Sequence, residues 1–136
     1  MVDDGGLARL KKRIMAIPQQ IRDDVQPVLD RSATELADTM KSLAPKEDGD
    51  LVESIQTEAS YTYLARAVVA GGKKTTRPVR NGADATYDYA FAQELGTTEM
   101  NANPFFYPAY RLLNKRLKRR IKSACARAVK KNWGKQ

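Results

Sequence analysis

The sequence predicts an α+β fold: a long, proline-interrupted N-terminal helix, an antiparallel sheet of three or four strands, and a basic amphipathic C-terminal helix packed on that sheet. Apolar residues recur at gaps of mostly three and four from Leu7 to Leu43, which is the period of one helical face. Between Ile55 and Gln93 the pattern changes to alternation broken by Gly-Gly and Asn-Gly pairs, as strands and their turns require. From Phe105 onward Leu113, Leu117, Ile121, Ala124 and Ala128 return to helical spacing, flanked by Leu112 and Cys125. A chain of 136 residues builds one core of modest size, so residues 1–136 are read as one domain.

The first helix is expected to run to about Ala16, as a short helix or arm within residues 1–17. A second starts near Pro18, is kinked or restarted at Pro27, and ends near Leu43, before Pro45 stops it. Its polar face, with Arg22, Asp23, Asp24, Asp30, Arg31, Glu35, Asp38 and Lys41, reads as a solvated surface with helical ion pairs. Residues 44–50 form a loop, after which Asp50 and Glu53 have the capping-box spacing of a short turn. Ile55 to Tyr63 and Leu64 to Ala70 are expected as two strands with a turn near Ser60 to Leu64.

Residues 71–86 have the composition of a mobile loop. Asn81-Gly82 is a hairpin turn between strands expected at Thr75 to Arg80 and Ala85 to Gln93. Lys73, Lys74, Arg77 and Arg80 on this segment are candidate contacts to DNA or a partner; a solvated excursion is the plainer alternative. Tyr89, Phe91 and Leu95 continue the alternation, and Gly96 would end the strand in a left-handed turn. Pro104 starts the terminal helix, Pro108 fits only its first turn, and residues 132–136 are a tail.

Charge is divided unevenly. Residues 111–136 carry eleven basic side chains and no acidic one, while the rest of the chain has thirteen basic against sixteen acidic. Such a basic end suits a polyanion, through side chains such as Arg116, Arg119, Arg120 and Lys122. In a homo-oligomer it would equally suit an acidic surface on a neighbouring subunit.

Several chemistries lack their residues. The chain has no histidine, so His-based triads and metal sites are excluded. Cys125 is the only cysteine, which excludes an internal disulfide, fits a reducing compartment, and reads as a small core residue. Gly71-Gly72-Lys73-Lys74-Thr75 departs from phosphate-loop spacing, and Glu47-Asp48-Gly49-Asp50 lacks the distal glutamate of a calcium loop. Glu94, alone among aromatics, is better placed to accept backbone amides than to transfer protons. No cofactor, catalytic residue, secretory signal or ~20-residue apolar span is expected.

Seven of the ten aromatic residues lie between Tyr87 and Tyr110. Within that stretch stand Tyr89-Ala90, Glu94, Gly96-Thr97, Pro104-Phe105 and Pro108-Ala109. An earlier block holds Pro45, Gly49, Leu51 and Ser54-Ile55. In order and spacing these blocks resemble a family of tailed-bacteriophage neck proteins, the head–tail joining and tail-completion (minor tail) components, over about residues 30 to 110. Two positions depart from the family pattern: Asp48 stands where Thr is usual, and Leu95 where Phe is usual. The resemblance implies a structural virion protein, assembled in the host cytoplasm as a ring, sixfold, around a DNA channel. It would contact other neck, portal-side and tail-tube proteins, with non-specific contact to channel DNA and none to a membrane. The alternative, from composition, is a free nucleic-acid-binding protein using the basic C-terminal helix, though no helix-turn-helix, zinc site or RNA-reading motif supports it.

Overall fold

A computed structural model describes residues 5–47, 49–60 and 62–133. Expectations resting on Asp48, Tyr61, the side chains of Ile14 and Trp133, or the tail from Gly134 lie outside the described residues. The elements are helices α1 (Leu7–Met15), α2 (Gln19–Leu43) and α3 (Asp50–Ser54), strands β1 (Gln56–Ala59) and β2 (Arg66–Val69), a 3-10 turn (Lys73–Thr75), strands β3 (Thr76–Pro78) and β4 (Thr86–Asp88), and helices α4 (Tyr89–Leu95) and α5 (Phe106–Trp133). The fold is α+β, with long helices near both ends and short antiparallel strands between them.

Pro18 breaks the first helical segment from α2, and α2 ends at Ala44 just before Pro45. No restart occurs at Pro27, which sits inside a continuous 25-residue helix. Proline there forgoes one backbone hydrogen bond. Val25 and Val28 on either side are buried, so packing of the stripe holds the helix across the gap.

Among the described residues the four strands form two hairpins rather than one sheet: β1 pairs only with β2, and β3 only with β4. In the first, Gln56 faces Val69 and Ala59 faces Arg66, which places the turn where the sequence indicates. In the second, Thr76 faces Asp88 and Pro78 faces Thr86, with Asn81-Gly82 in the connection. The segment read as a mobile loop therefore contains the 3-10 turn and β3, and residues 79–85 connect β3 to β4.

Such small sheets cannot cover two long helices, and every residue of β1 is exposed. The apolar stripes of α2 and α5 accordingly pack chiefly on each other, whereas the sequence suggests that the C-terminal helix packs on the sheet. One buried cluster joins Ile21 and Val25 of α2 to Ala128 of α5. A second gathers Ala37, Met40, Ala44, Leu51, Ile55, Ala90, Phe105 and Ala109. Alanines at both seams let the helix backbones approach closely. Across the α2–α5 seam Glu35 is paired with Arg116 and, at 2.7 Å, with Arg120, while Asp24 lies 3.8 Å from Lys131.

Candidate functional site

The aromatic stretch is built differently from the strand its alternation suggests. Asp88 closes β4 and caps α4, its Oδ1 accepting the Ala90 amide at 2.9 Å. Tyr89 to Leu95 then forms two helical turns. Ala90, Ala92 and Gln93 point inward while Phe91 and Leu95, one turn apart, point out. Over seven residues, periods of two and 3.6 are hard to tell apart; the small residues, not the aromatics, are the buried ones.

Gly96 ends this helix rather than a strand, with φ +77° and its amide on the Ala92 carbonyl at 2.7 Å. A Cβ there would lie 2.8 Å from the Ala102 nitrogen, so a side chain is excluded by backbone as well as by dihedral angle. The chain then reverses. Thr97 Oγ1 accepts the amides of Glu99 and Met100, and the Asn103 amide donates to Gln93 O at 2.8 Å.

This reversal seats the start of α5 on Glu94. The carboxylate accepts the amides of Phe105, Phe106 and Tyr107 at 2.8, 2.9 and 2.8 Å. An α-helix begins with four amides that have no helical acceptor. In α5 three go to Glu94, and the fourth position is Pro108, which has no N–H to satisfy. A negative group at this end also complements the helix dipole. Phe105 is driven into the core, and Ala109 beside it is fully buried.

The residues of the earlier block meet the same core. Gly49 leads into α3 after Pro45, and Leu51 and Ile55 are completely buried against Phe105 and Ala109. Ser54 donates to Leu51 O at 2.7 Å and accepts the Gly71 amide at 3.0 Å. Tyr89 packs at the edge of this cluster, and Thr97 and Pro104 lie in the exposed reversal.

A second carboxylate hub stands six residues earlier. Asp88 accepts Thr75 Oγ1 at 2.6 Å, the Gly72 amide at 3.0 Å and the Ala90 amide. Partial burial pushes its pKa up, but the Thr75 hydroxyl and the amides of Gly72, Ala90 and Phe91 outweigh this and hold it below the usual carboxylate value. Gly71 (φ +97°) has no room for a side chain, because a Cβ would fall 2.5 Å from Asp88 Oδ2.

The candidate basic contacts divide into two groups. Lys74 is 3.1 Å from Glu53, Arg77 is 2.6 Å from Asp50, and Arg116 and Arg120 are held by Glu35. These four neutralise acids of their own chain. Lys73, Arg80, Arg119 and Lys122 are exposed, with no ion-pair partner among the described residues. Arg111, Lys115 and Lys118 share that property and were not singled out from the sequence, although their signal is there. Positions 111, 115, 118 and 122 are spaced by four, three and four, so they form one stripe about 16 Å long on the outer face of α5. At its N-terminal end Arg111 lies 5.6 Å over the Tyr107 ring, and Tyr107 stacks on Tyr110 with centroids 6.2 Å apart.

Large apolar side chains of α4 and early α5 are exposed as well. Phe91, Leu95, Tyr107 and Leu112 are each more than half exposed. Phe91 also borders a groove of about 380 Å³ between β2 and the start of α5. No helix is long and apolar enough to cross a membrane among the described residues.

Residues 8–96, well over half of the chain, match the family model described as "Bacteriophage HK97-gp10, putative tail-component". The match ends at Gly96, so the Pro104–Ala109 block and α5 lie outside it. No curated protein and no solved structure matches the chain. The matched span contains α2, both hairpins and α4 with its two carboxylate hubs, and the chain belongs to the HK97-gp10-like family of bacteriophage tail components.

Proposed function

We propose that this tail component joins head to tail, or completes the tail, as one subunit of a sixfold ring at the phage neck. The observation that carries the reading is the division of charge on α5. Arg116, Arg120 and Lys131 pair with Glu35 and Asp24, while Arg111, Lys115, Lys118 and Lys122 lie on one outer stripe with no ion-pair partner among the described residues. Facing a channel, such a stripe accommodates phosphate without reading sequence. The exposed apolar groups of α4 and early α5 supply subunit contacts, and head-to-tail contacts between copies close into a ring. The tip of the β3–β4 hairpin, with exposed Val79 and Arg80, is the part of residues 71–86 that would order on a neighbouring subunit or on portal-side and tail-tube proteins. No step in this role is chemical, and assembly would take place in the host cytoplasm.

The test is complementation in a phage or prophage carrying the gene. Without the gene, heads and tails should accumulate unjoined or with defective tails. The triple variant Lys115→Glu/Lys118→Glu/Lys122→Glu should fold normally and rescue poorly, as counted by electron microscopy. Full rescue would remove the role given to the stripe. The same stripe favours one rival, a free nucleic-acid-binding protein. Against that rival, the isolated chain should bind duplex DNA no tighter than about 10⁻⁶ M at moderate salt, without sequence preference. Tight, sequence-selective binding would decide for the rival.

A further inference from the structure

Two surfaces of this chain are left uncovered, and their chemistries are complementary. The first is α1. It carries Arg9, Lys11, Lys12 and Arg13 with no acidic residue, and its Leu7, Leu10 and Met15 are 43–46% exposed. A nine-residue helix is too short to persist in water on its own hydrogen bonds, so it needs a surface for its apolar stripe. The second is the groove bordered by Val68, Ala70, Phe91 and Phe106. Among the described residues, its charged lining is Asp88 and Glu94, both acidic, on a chain whose net charge is +8. An apolar groove with an acidic rim is the counterpart of an apolar helix with a basic rim.

The two do not meet within one chain. Lys11 and Met15 of α1 lie with Ala59, Tyr63 and Arg66 around the turn end of the β1–β2 hairpin. The groove opens at the opposite end of β2, at Val68 to Ala70. Only residues 16–18 link α1 to α2, which tethers it at the far end.

We infer that α1 of one copy docks in the β2–α4–α5 groove of a second copy, with Leu7 and Leu10 entering between Phe91 and Val68 and the α1 cations facing the carboxylate rim. Each chain then gives one arm and receives one. Such a contact is heterologous, and repeated it closes a ring or continues as a filament. The inference deepens the reading of a self-assembling tail subunit and rests on it, by naming the surfaces through which copies join.

The experiment uses the full chain and two variants, Leu7→Asp/Leu10→Asp and Phe91→Asp. All three replaced side chains are exposed, so each variant should keep the wild-type circular dichroism and melting temperature. Solution mass should show concentration-dependent association of the wild type, and a monomer for each variant alone. Mixed, the two variants should form a one-to-one dimer and nothing larger, because one retains the groove and the other the arm. Rescue by mixing is a result that general loss of stability cannot produce. Either variant associating like the wild type overturns the inference while leaving a self-assembling subunit intact. A failed mixture overturns it as well. So does a wild type that stays monomeric at its highest soluble concentration, including one whose Leu7 and Leu10 instead bind anionic lipid vesicles. The tail-component role would then still be decided separately, by particle counts.

Discussion

Asp88 at the start and Glu94 near the end of the same two-turn helix both accept backbone amides, yet they organise different things. Glu94 places its two oxygens on three consecutive amides, all at the start of one 28-residue helix. Asp88 collects donors from separate segments: Gly72 and Thr75 before the second hairpin, and Ala90 after it. One carboxylate aims a long element; the other ties the base of a hairpin to the helix that follows. The comparison shows how a chain with small sheets and a modest core fixes its geometry. It uses partly shielded carboxylates to supply acceptors that regular secondary structure leaves missing.

If that comparison is right, losing Glu94 should be the costlier change. Glu94→Ala strands three amides, one of them on the fully buried Phe105, and should cost about 3 kcal/mol in a denaturant titration. Glu94→Gln keeps one acceptor oxygen and should recover about half of that. A loss under about 1 kcal/mol for the alanine variant would mean that water replaces the carboxylate at this junction.

Next in size is Gly96→Val. The positive φ and the close Ala102 backbone predict about 2 kcal/mol of strain, felt on the reversal that delivers α5 to Glu94. An unchanged melting temperature would show that the reversal is softer than its contacts imply.

Asp88→Asn should cost about 1–2 kcal/mol at neutral pH, and its effect should depend on pH. The folded pKa of Asp88 lies below the ordinary value of 3.8, so the unfolded chain takes up the proton first. The contribution is therefore complete above the ordinary value and is lost as pH falls through the lower folded one. Stability curves of wild type and Asp88→Asn should converge in that acidic window. A gap that stays constant down to the acid transition would assign the effect to shape rather than charge.

The smallest effect is expected at the α2–α5 seam, where Glu35 holds Arg116 and Arg120 at the surface. Glu35→Gln should cost under about 1 kcal/mol, and less in high salt. It should, however, free two cations beside the outer stripe and strengthen salt-dependent DNA binding. No change in binding would separate those two arginines from the polyanion surface altogether.

Long-period information was legible in the sequence. The stripes of α2 and α5, the breaks at Pro18 and Pro45, the first-turn place of Pro108 and the Asn-Gly turn all follow from local backbone chemistry. So does the use of Glu94 as an amide acceptor, since a lone carboxylate among aromatics has few other partners. The spacing of Arg111, Lys115, Lys118 and Lys122 was equally readable, but counting basic residues hid which face each one takes.

The rest was decided by contacts distant in sequence. Tyr89 to Leu95 alternates like a strand, yet becomes a helix because Asp88 caps its start and Ala90 and Ala92 must pass close to the core. Four short strands became two separate hairpins, each pairing only within itself among the described residues. The long helices, lacking a sheet broad enough to share, then buried their stripes against each other. Local sequence sets which backbone conformations are cheap, and so it determined the breaks and ends of the long helices at Pro18 and Pro45. Which surfaces meet depends on area and on buried hydrogen-bond donors, and these are set only when distant segments come together.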